Sequence, residues 1–368
     1  MRVLQVLPAL NSGGVERGTL ELARELVRAG HESLVLSSGG RLVQQLEAEG
    51  SRHLCLPVER KSLSAFARIR PVRRLLRQWA PDIVHVRSRL PAWIVWLAWR
   101  GMNPARRPRL VSTFHGLYSV NRYSAIMARG ERIIAISETV QRYIETHYAP
   151  EPERLHRIDR GLDTSAFYPA SPESAWQADF YRTFPEARSK KLLLMPGRLS
   201  RWKGQMHFLD LMARLVPDQP RLHGLIVGDA EPEKAHYRQQ LQERTQSLGL
   251  SGRVSFAGHR SDMPELYRQA DLVCHLSDKP EPFGRTVTEA LACGTPVLAF
   301  DRGGAGESLA ACYPKGLVPP EDLDLCAARV PELIAEGGQS IRIPDRLTLD
   351  HQLEATLGVY RQLLAERR

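Results

Sequence analysis

The feature that most constrains this chain is an alternation that occurs twice. Short runs rich in Val, Ile and Leu are followed by longer amphipathic stretches. In the first half these are VLQVL, SLVLSS, DIVHV, LVSTFHG and RIIAIS, interleaved with Gly18–Ala29, Leu42–Gly50, a Trp-rich run and Glu138–Tyr148. After a polar connection punctuated by prolines, Tyr168 to Arg188, the pattern resumes with LLLMPGRLS, LHGLIVGDA, VSFAGH, DLVCHLS, TPVLAF and KGLVPP. Apolar strands alternating with helical stretches are the mark of βαβ units around a parallel sheet. At 368 residues the chain exceeds the roughly 250–300 at which a single core stops growing. The expected fold is therefore α/β, with two Rossmann-like, doubly wound domains in tandem over residues 1–170 and 171–349. A last helix, 350–368, carries apolar residues at Leu349, Leu353, Leu357, Tyr360 and Leu364 and is expected to cross back onto the first domain.

Composition excludes disordered and fibrous classes: 43% of residues are hydrophobic and 25% charged. Five cysteines, an odd number with no C-x-x-C pair, read as reduced core thiols and favour a cytoplasmic location. The first ten residues, MRVLQVLPAL, lack the long apolar core and small-residue cleavage site of a signal peptide and read as a buried strand. The run PAWIVWLAW is about half of the ~20 residues a membrane-spanning helix needs.

The net charge of +10 is unevenly spread, for residues 1–170 hold 26 Lys and Arg against 15 Asp and Glu. The excess concentrates in Arg60–Arg77, where seven basic residues and no acidic one mix with Leu63, Phe66, Ile69, Leu75 and Leu76. Such a segment suits an anionic membrane surface, a nucleic acid, or simply a solvated helix face. No nucleic-acid motif accompanies it. Trp93, Trp96 and Trp99 recur every three residues and read either as membrane-facing aromatics or as core.

In open α/β sheets, ligands bind beyond the carboxyl ends of the strands, and the loops there carry the chemistry. Gly13 and Gly14 follow the first strand and open the first helix, where close backbone approach and free amides suit an anion. The spacing is neither G-x-G-x-x-G nor a P-loop, which weakens nicotinamide and NTPase readings. His115 ends the strand of Thr113-Phe114-His115-Gly116. Arg198 and Lys203 share one strand-to-helix corner, and two cations five residues apart suit a diphosphate. In EPFGRTVTE, Glu281 lies on a loop and Glu289 on the helix that Gly284 begins, with amides of Gly284, Arg285 and Thr286 between them. Helical side chains lean toward the N-terminus, so Glu289 reaches back over the turn at Arg285. The two carboxylates are placed to accept from sugar and ribose hydroxyls, with phosphate held on the amides.

These stretches together resemble retaining glycosyltransferase family 4, whose members have the two-domain GT-B fold, including enzymes of lipopolysaccharide-core and other envelope glycans. The resemblance rests on the Gly-rich first loop, T-F-H-G, the R-G-L-D of Arg160–Asp163, G-R-L-S-x-x-K-G, the V-G-D of Val227–Asp229, E-x7-E and the G-T-P-V of Gly294–Val297. It implies a hexose or N-acetylhexosamine moved from a nucleoside-diphosphate sugar, UDP being the expected nucleotide, to a glycan or lipid-linked acceptor. By the family's pattern Arg198 and Lys203 hold the diphosphate and Glu289 the ribose. Glu281, with the amides after Phe283, grips the transferred sugar, which His115 touches. Gly13, Gly14 and Gly228 sit near the nucleotide, and Phe256–Arg260 forms the base edge, largely through backbone. No metal and no cofactor besides the donor are implied, nor a nucleic-acid partner; the basic segment and the tryptophans suggest peripheral contact with the cytoplasmic face of an anionic inner membrane. Two departures, Arg160 where the family often has Asn and Ala230 where it often has Gly, touch the acceptor or phosphate side and a turn near the nucleotide. The competing readings are a nucleotide-sugar epimerase of the same fold and a basic nucleic-acid-binding protein.

Overall fold

A computed structural model describes residues 1–11, 13–59, 63–230, 235–338 and 340–366; Ser12 and the basic residues Arg60 and Lys61 lie outside the described residues. The chain divides into two units, one of Met1–Gly161 with Leu349–Arg368, the other of Leu162–Thr348.

Unit 1 is built on a parallel sheet of β1 (Arg2–Val6), β2 (Glu32–Ser37), β3 (Arg52–Cys55), β4 (Ile83–Val86), β5 (Arg109–Phe114), β6 (Arg132–Ala135) and β7 (Leu155–Arg157). Their order is β3-β2-β1-β4-β5-β6-β7. The central strands β4 and β5 are buried at every position, as strands covered on both faces are. The sequence reading finds five of these strands and misses the edges. β3 reads Arg-His-Leu-Cys and is mostly exposed, and β7 has only three residues. An edge strand covered on fewer sides has no continuous apolar run to betray it.

The last helix, Leu349–Ala365, belongs to unit 1 and completes its core. Leu357, Val359, Tyr360 and Leu363 join Val3, Leu22, Leu26, Ile83, Val111 and Ile134 in one buried cluster, each large side chain contributing about 1.5–3 kcal/mol. Leu364 is 37% exposed while Leu363 is fully buried, a one-residue rotation from the expected face. The Tyr360 hydroxyl and His85 Nδ1 meet at 2.6 Å, and His85 Nε2 meets Thr113 Oγ1 at 2.5 Å, so a buried imidazole ties this helix to β4 and β5.

Of the tryptophans, Trp99 is buried and Trp93 and Trp96 are partly exposed, each with a partner within unit 1. They lie on the Arg89–Arg100 helix. Trp93 donates to the Tyr123 carbonyl at 2.9 Å and Trp99 to that of Pro108 at 2.7 Å. Trp96 lies under the guanidinium groups of Arg100 and Arg129. In the basic segment, the Ile69–Gln78 helix buries Val72 and Leu76, turns Arg70, Arg74 and Arg77 outward, and follows an exposed Phe66. Among the described residues no helix is long and apolar enough to cross a membrane.

Unit 2 repeats the plan with β8 (Lys191–Pro196), β9 (Leu222–Val227), β10 (Val254–Gly258), β11 (Leu272–His275), β12 (Val297–Phe300) and the two-residue β13 (Leu317–Val318), in the order β10-β9-β8-β11-β12-β13. The stretch before β8, read from sequence as a connection, contains a helix, Ser174–Thr183. Its aromatics fall at one-turn spacing: Trp176 stacks on Phe180, and Phe180 packs on Phe184. Its flanks carry the prolines that mark a turn.

Candidate functional site

In unit 2 the strand order reverses between β8 and β11, which pair directly, Leu193 opposite Leu272 and Leu194 opposite Val273. The loops that leave these two strands are therefore neighbours, and a parallel sheet binds ligands at such a reversal. The loop after β8 carries Arg198 and Lys203; the loop after β11 carries Ser277 and Glu281 and ends at the Arg285–Ala292 helix. Gly204 closes the first loop at φ +76°, and a Cβ there would come within 1.7 Å of the Leu276 carbonyl oxygen, so the two loops pack backbone to backbone. Gly284 opens the helix at φ +84° against Ala305. Both positions require glycine on steric grounds.

This packing delivers Lys203 to Glu281. Lys203 Nζ donates to Glu281 Oε1 at 2.6 Å, Ser277 Oγ donates to the same oxygen at 2.5 Å, and His275 Nε2 lies 3.3 Å from it. His275 Nδ1 in turn meets Thr286 Oγ1 in the first turn of the helix at 3.1 Å. Burial by itself would raise the pKa of Glu281, but His275 and Lys203 outweigh it and hold the carboxyl far below the usual carboxylate range. Glu281 is thus a fixed anion, 7% exposed. Arg198 is exposed on the same loop, its carbonyl accepting from Gln205 Nε2 at 3.1 Å.

Glu289 is buried one turn into the helix. Arg285 Nε donates to its Oε1 at 3.0 Å and the Tyr267 hydroxyl to its Oε2 at 3.1 Å. The carboxylate does reach back over the first turn, as the tilt of helical side chains dictates. Phe283 is buried, and its carbonyl accepts from Ser308 Oγ at 3.4 Å. Gly228 follows β9 and donates its amide to Gly258 at 2.8 Å. On the edge strand β10, Phe256 and Ala257 are half-buried, and His259 directly after it is exposed. Arg260 is bound by both nitrogens to Asp262, which also accepts from Trp176 Nε1 at 2.5 Å. Its guanidinium is held in a structural pair, so this edge offers a ligand backbone and Phe256 more than cationic charge.

Three participants escape the sequence reading: His275, Ser277 and the Gly303-Gly304 pair. The Gly303–Cys312 helix begins against the Glu281 loop, with the Gly304 amide donating to the Glu281 carbonyl at 2.8 Å. The signal available was a glycine pair directly after a strand, in AFDRGGAGE.

In unit 1 the order reverses between β1 and β4. Gly13 caps the Gly14–Arg28 helix after β1, and both glycines are exposed. His115 follows β5, with its ring nitrogens buried and without a hydrogen-bond partner among the described residues. Burial first, then Arg87, Arg160 and His85 nearby, pushes its pKa well below the ordinary histidine value, so the ring is neutral. Among the described residues, no group of three or more His, Cys, Asp or Glu is placed to hold a metal ion.

Residues 12–166 match the family model described as Glycosyltransferase Family 4, and residues 179–345 match that of the Glycosyl transferases group 1. The chain is 35% identical over 165 residues to the mannosylfructose-phosphate synthase of Agrobacterium fabrum, 43% of this chain but only about a third (35%) of that relative's length. It is 27% identical over 249 residues to the lipopolysaccharide core biosynthesis mannosyltransferase LpsB of Rhizobium meliloti, covering 65% of this chain and 68% of that one. Among solved structures, a glycosyltransferase from Rickettsia africae superimposes with a TM-score of 0.87 at 28% identity, covering 100% of this chain and 99% of that one. Anabaena HepE, solved in complex with UDP-glucose, superimposes with a TM-score of 0.80 at 23% identity over 98% of this chain and 100% of its own, a likeness of fold.

Proposed function

The chain belongs to glycosyltransferase family 4 with the GT-B fold, and we propose that it moves a hexose or N-acetylhexosamine from a nucleoside-diphosphate sugar, UDP-linked, to a lipopolysaccharide-core or other envelope-glycan acceptor. The observation that carries this reading is the meeting of Lys203, Ser277 and His275 on one buried carboxylate, Glu281, at the strand-order reversal of unit 2. A carboxylate fixed in its ionised form is an acceptor for sugar hydroxyls. The cation it anchors has two further N–H donors to offer a phosphate. LpsB, a core mannosyltransferase, and HepE, solved with UDP-glucose, support the acceptor and donor classes.

In this reading the diphosphate lies on Arg198, Lys203 and the leading amides of the Arg285–Ala292 helix, whose dipole favours an anion at that end. Glu289, held by Arg285 and Tyr267, orients the ribose, and β10 borders the base. These cations and amides meet the charge that grows on the leaving phosphate and make transfer independent of a metal. With Glu281 committed to Lys203 and Ser277, a donor phosphate oxygen accepts the acceptor's proton on the face of the departing group, which retains the anomeric configuration. Unit 1 binds the acceptor. Its Ile69–Gln78 helix, with Arg70, Arg74 and Arg77 outward beside Phe66, rests on anionic lipid where the acceptor is lipid-linked.

The test is calorimetric titration of a panel of nucleoside diphosphates, followed by transfer from the sugar of the one that binds, with and without EDTA. Arg198→Ala is expected to keep the fold by circular dichroism and lower turnover at least ~100-fold. Normal turnover by this variant refutes the diphosphate assignment, and inhibition by EDTA refutes the metal-free leaving-group step.

A further inference from the structure

Unit 1 contains a cavity at the carboxyl ends of β4 and β5, where Arg87, Thr113, His115, Arg160, Gln352 and Thr356 share the lining with His85 and four Leu and Ile side chains. It is closed on one side by the C-terminal helix, which contributes Gln352 and Thr356.

The lining is unusual in its buried donors. Arg87 is 3% exposed and Arg160 is 6% exposed. Arg87 Nη1 donates to Gln5 Oε1 at 2.8 Å, while its Nε has no partner among the described residues, nor has either ring nitrogen of His115. A buried donor left without a partner costs about 1–3 kcal/mol, and since Arg87 and His115 both line the cavity, an acceptor from outside would relieve that cost. Both guanidinium groups crowd Gly18 of the Gly14–Arg28 helix: a Cβ there would lie 2.2 Å from Arg160 Nη2 and 3.4 Å from Arg87 Nη2. Two guanidiniums side by side repel each other, although Glu16 acts through space on both Arg160 and Arg87, and Glu21 on Arg87, as counter-charges. A ligand that accepts several hydrogen bonds and carries negative charge answers both conditions, and planar guanidinium matches oxyanions in particular.

We propose that this cavity is an oxyanion subsite, in which a phosphate or carboxylate carried by the acceptor accepts from Arg87 Nε and the His115 ring N–H in the field of Arg160. Assigning the anion to the acceptor rests on the transferase reading above; the existence of the subsite does not. An acceptor anchored by such a group presents a hydroxyl near it, so the enzyme selects phosphorylated or acidic sugars over neutral ones.

The experiment titrates the full chain with inorganic phosphate and, separately, acetate, by calorimetry and by NMR of the histidine rings. The expected result is one oxyanion bound at about 1 mM or tighter, with the His115 resonances shifted and its protonation moved to higher pH. Two variants are compared: Arg160→Gln, and Gly18→Ala, which raises helix propensity while displacing the end of the Arg160 side chain. Each is expected to weaken the anion at least about tenfold, and unchanged thermal unfolding of Gly18→Ala separates this from misfolding. No binding of either anion to the wild type, or equal binding by Gly18→Ala and wild type, overturns the subsite. Acetate and phosphate compared in the wild type tell a carboxylate from a phosphate source. Saturating UDP leaving phosphate affinity unchanged supports the acceptor as the source, whereas displacement by UDP overturns that assignment. A wild type that binds phosphate but no nucleoside diphosphate defeats the transferase reading alone.

Discussion

Glu281→Gln tests the organising charge of the unit 2 site. The substitution preserves size and one acceptor oxygen but removes the anion that Lys203 Nζ approaches at 2.6 Å and Ser277 Oγ at 2.5 Å. Removing one member of a buried pair costs about 3–5 kcal/mol because the other is stranded. Here the Lys203 side chain keeps 26% exposure and the Glu281 side chain 10%, so water recovers part of that, and about 2–3 kcal/mol is expected. At roughly 2–4 °C per kcal/mol in a unit of this size, the unfolding midpoint falls by about 4–12 °C. Lys203→Met combined with Glu281→Gln leaves no stranded charge, so the double variant is expected to lose less than the sum of the singles. The sign of the pH dependence follows from the depressed pKa. The folded carboxyl titrates below the unfolded one, so its contribution is fully present above an unfolded pKa of about 4.3 and is lost as pH falls from there through the folded value. The gap between wild type and Glu281→Gln is therefore constant from pH 5 to 8 and narrows below about pH 4. Differential scanning calorimetry over that range decides; additive single losses, or a gap that widens in acid, refute the reasoning.

Glu289→Gln weakens the acceptor that Arg285 and Tyr267 orient and is expected to raise the UDP dissociation constant about tenfold, read by calorimetry; an unchanged constant removes Glu289 from the ribose. Gly204→Ala drives a Cβ to 1.7 Å from the Leu276 carbonyl oxygen at φ +76°, and a loss above ~3 kcal/mol is expected, so a variant with wild-type melting contradicts the described loop packing. Tyr360→Phe leaves His85 Nδ1 without its 2.6 Å partner in a fully buried site, with a loss of about 1–3 kcal/mol in denaturant titration; a neutral result means that His85 is not the strut described. Burial holds both His85 and His115 well below the ordinary histidine pKa. The unfolded chain then binds more protons below about pH 6.5, and stability falls as pH drops through that value. His115 observed protonated by NMR at pH 6 in the ligand-free protein contradicts this.

The central strands were legible because strands covered on both faces are mostly apolar, as in β4, β5 and β8, where the few polar residues such as His85 and Thr113 are buried with partners. The edges β3 and β7 were not, since nothing obliges a half-exposed strand to look apolar. The helix Ser174–Thr183 was obscured by its flanking prolines although its aromatics have helical spacing. The tryptophans at 93, 96 and 99 illustrate a real ambiguity: an apolar period is the same whether the face meets lipid or protein, and only the partners at Tyr123 and Pro108 distinguish them.

By itself the sequence determined the two rounds of βαβ alternation, the loops in which chemistry-bearing residues lie, and the reach of Glu289 over its own helix turn. All of these are consequences of local spacing. Tertiary structure alone decided which loops become neighbours. The pairing of β8 with β11 brings Lys203 to Glu281 and His275, and the return of the C-terminal helix closes the Arg87 cavity. Strand order is set by the burial of whole faces, a property of the packed sheet that no single segment records.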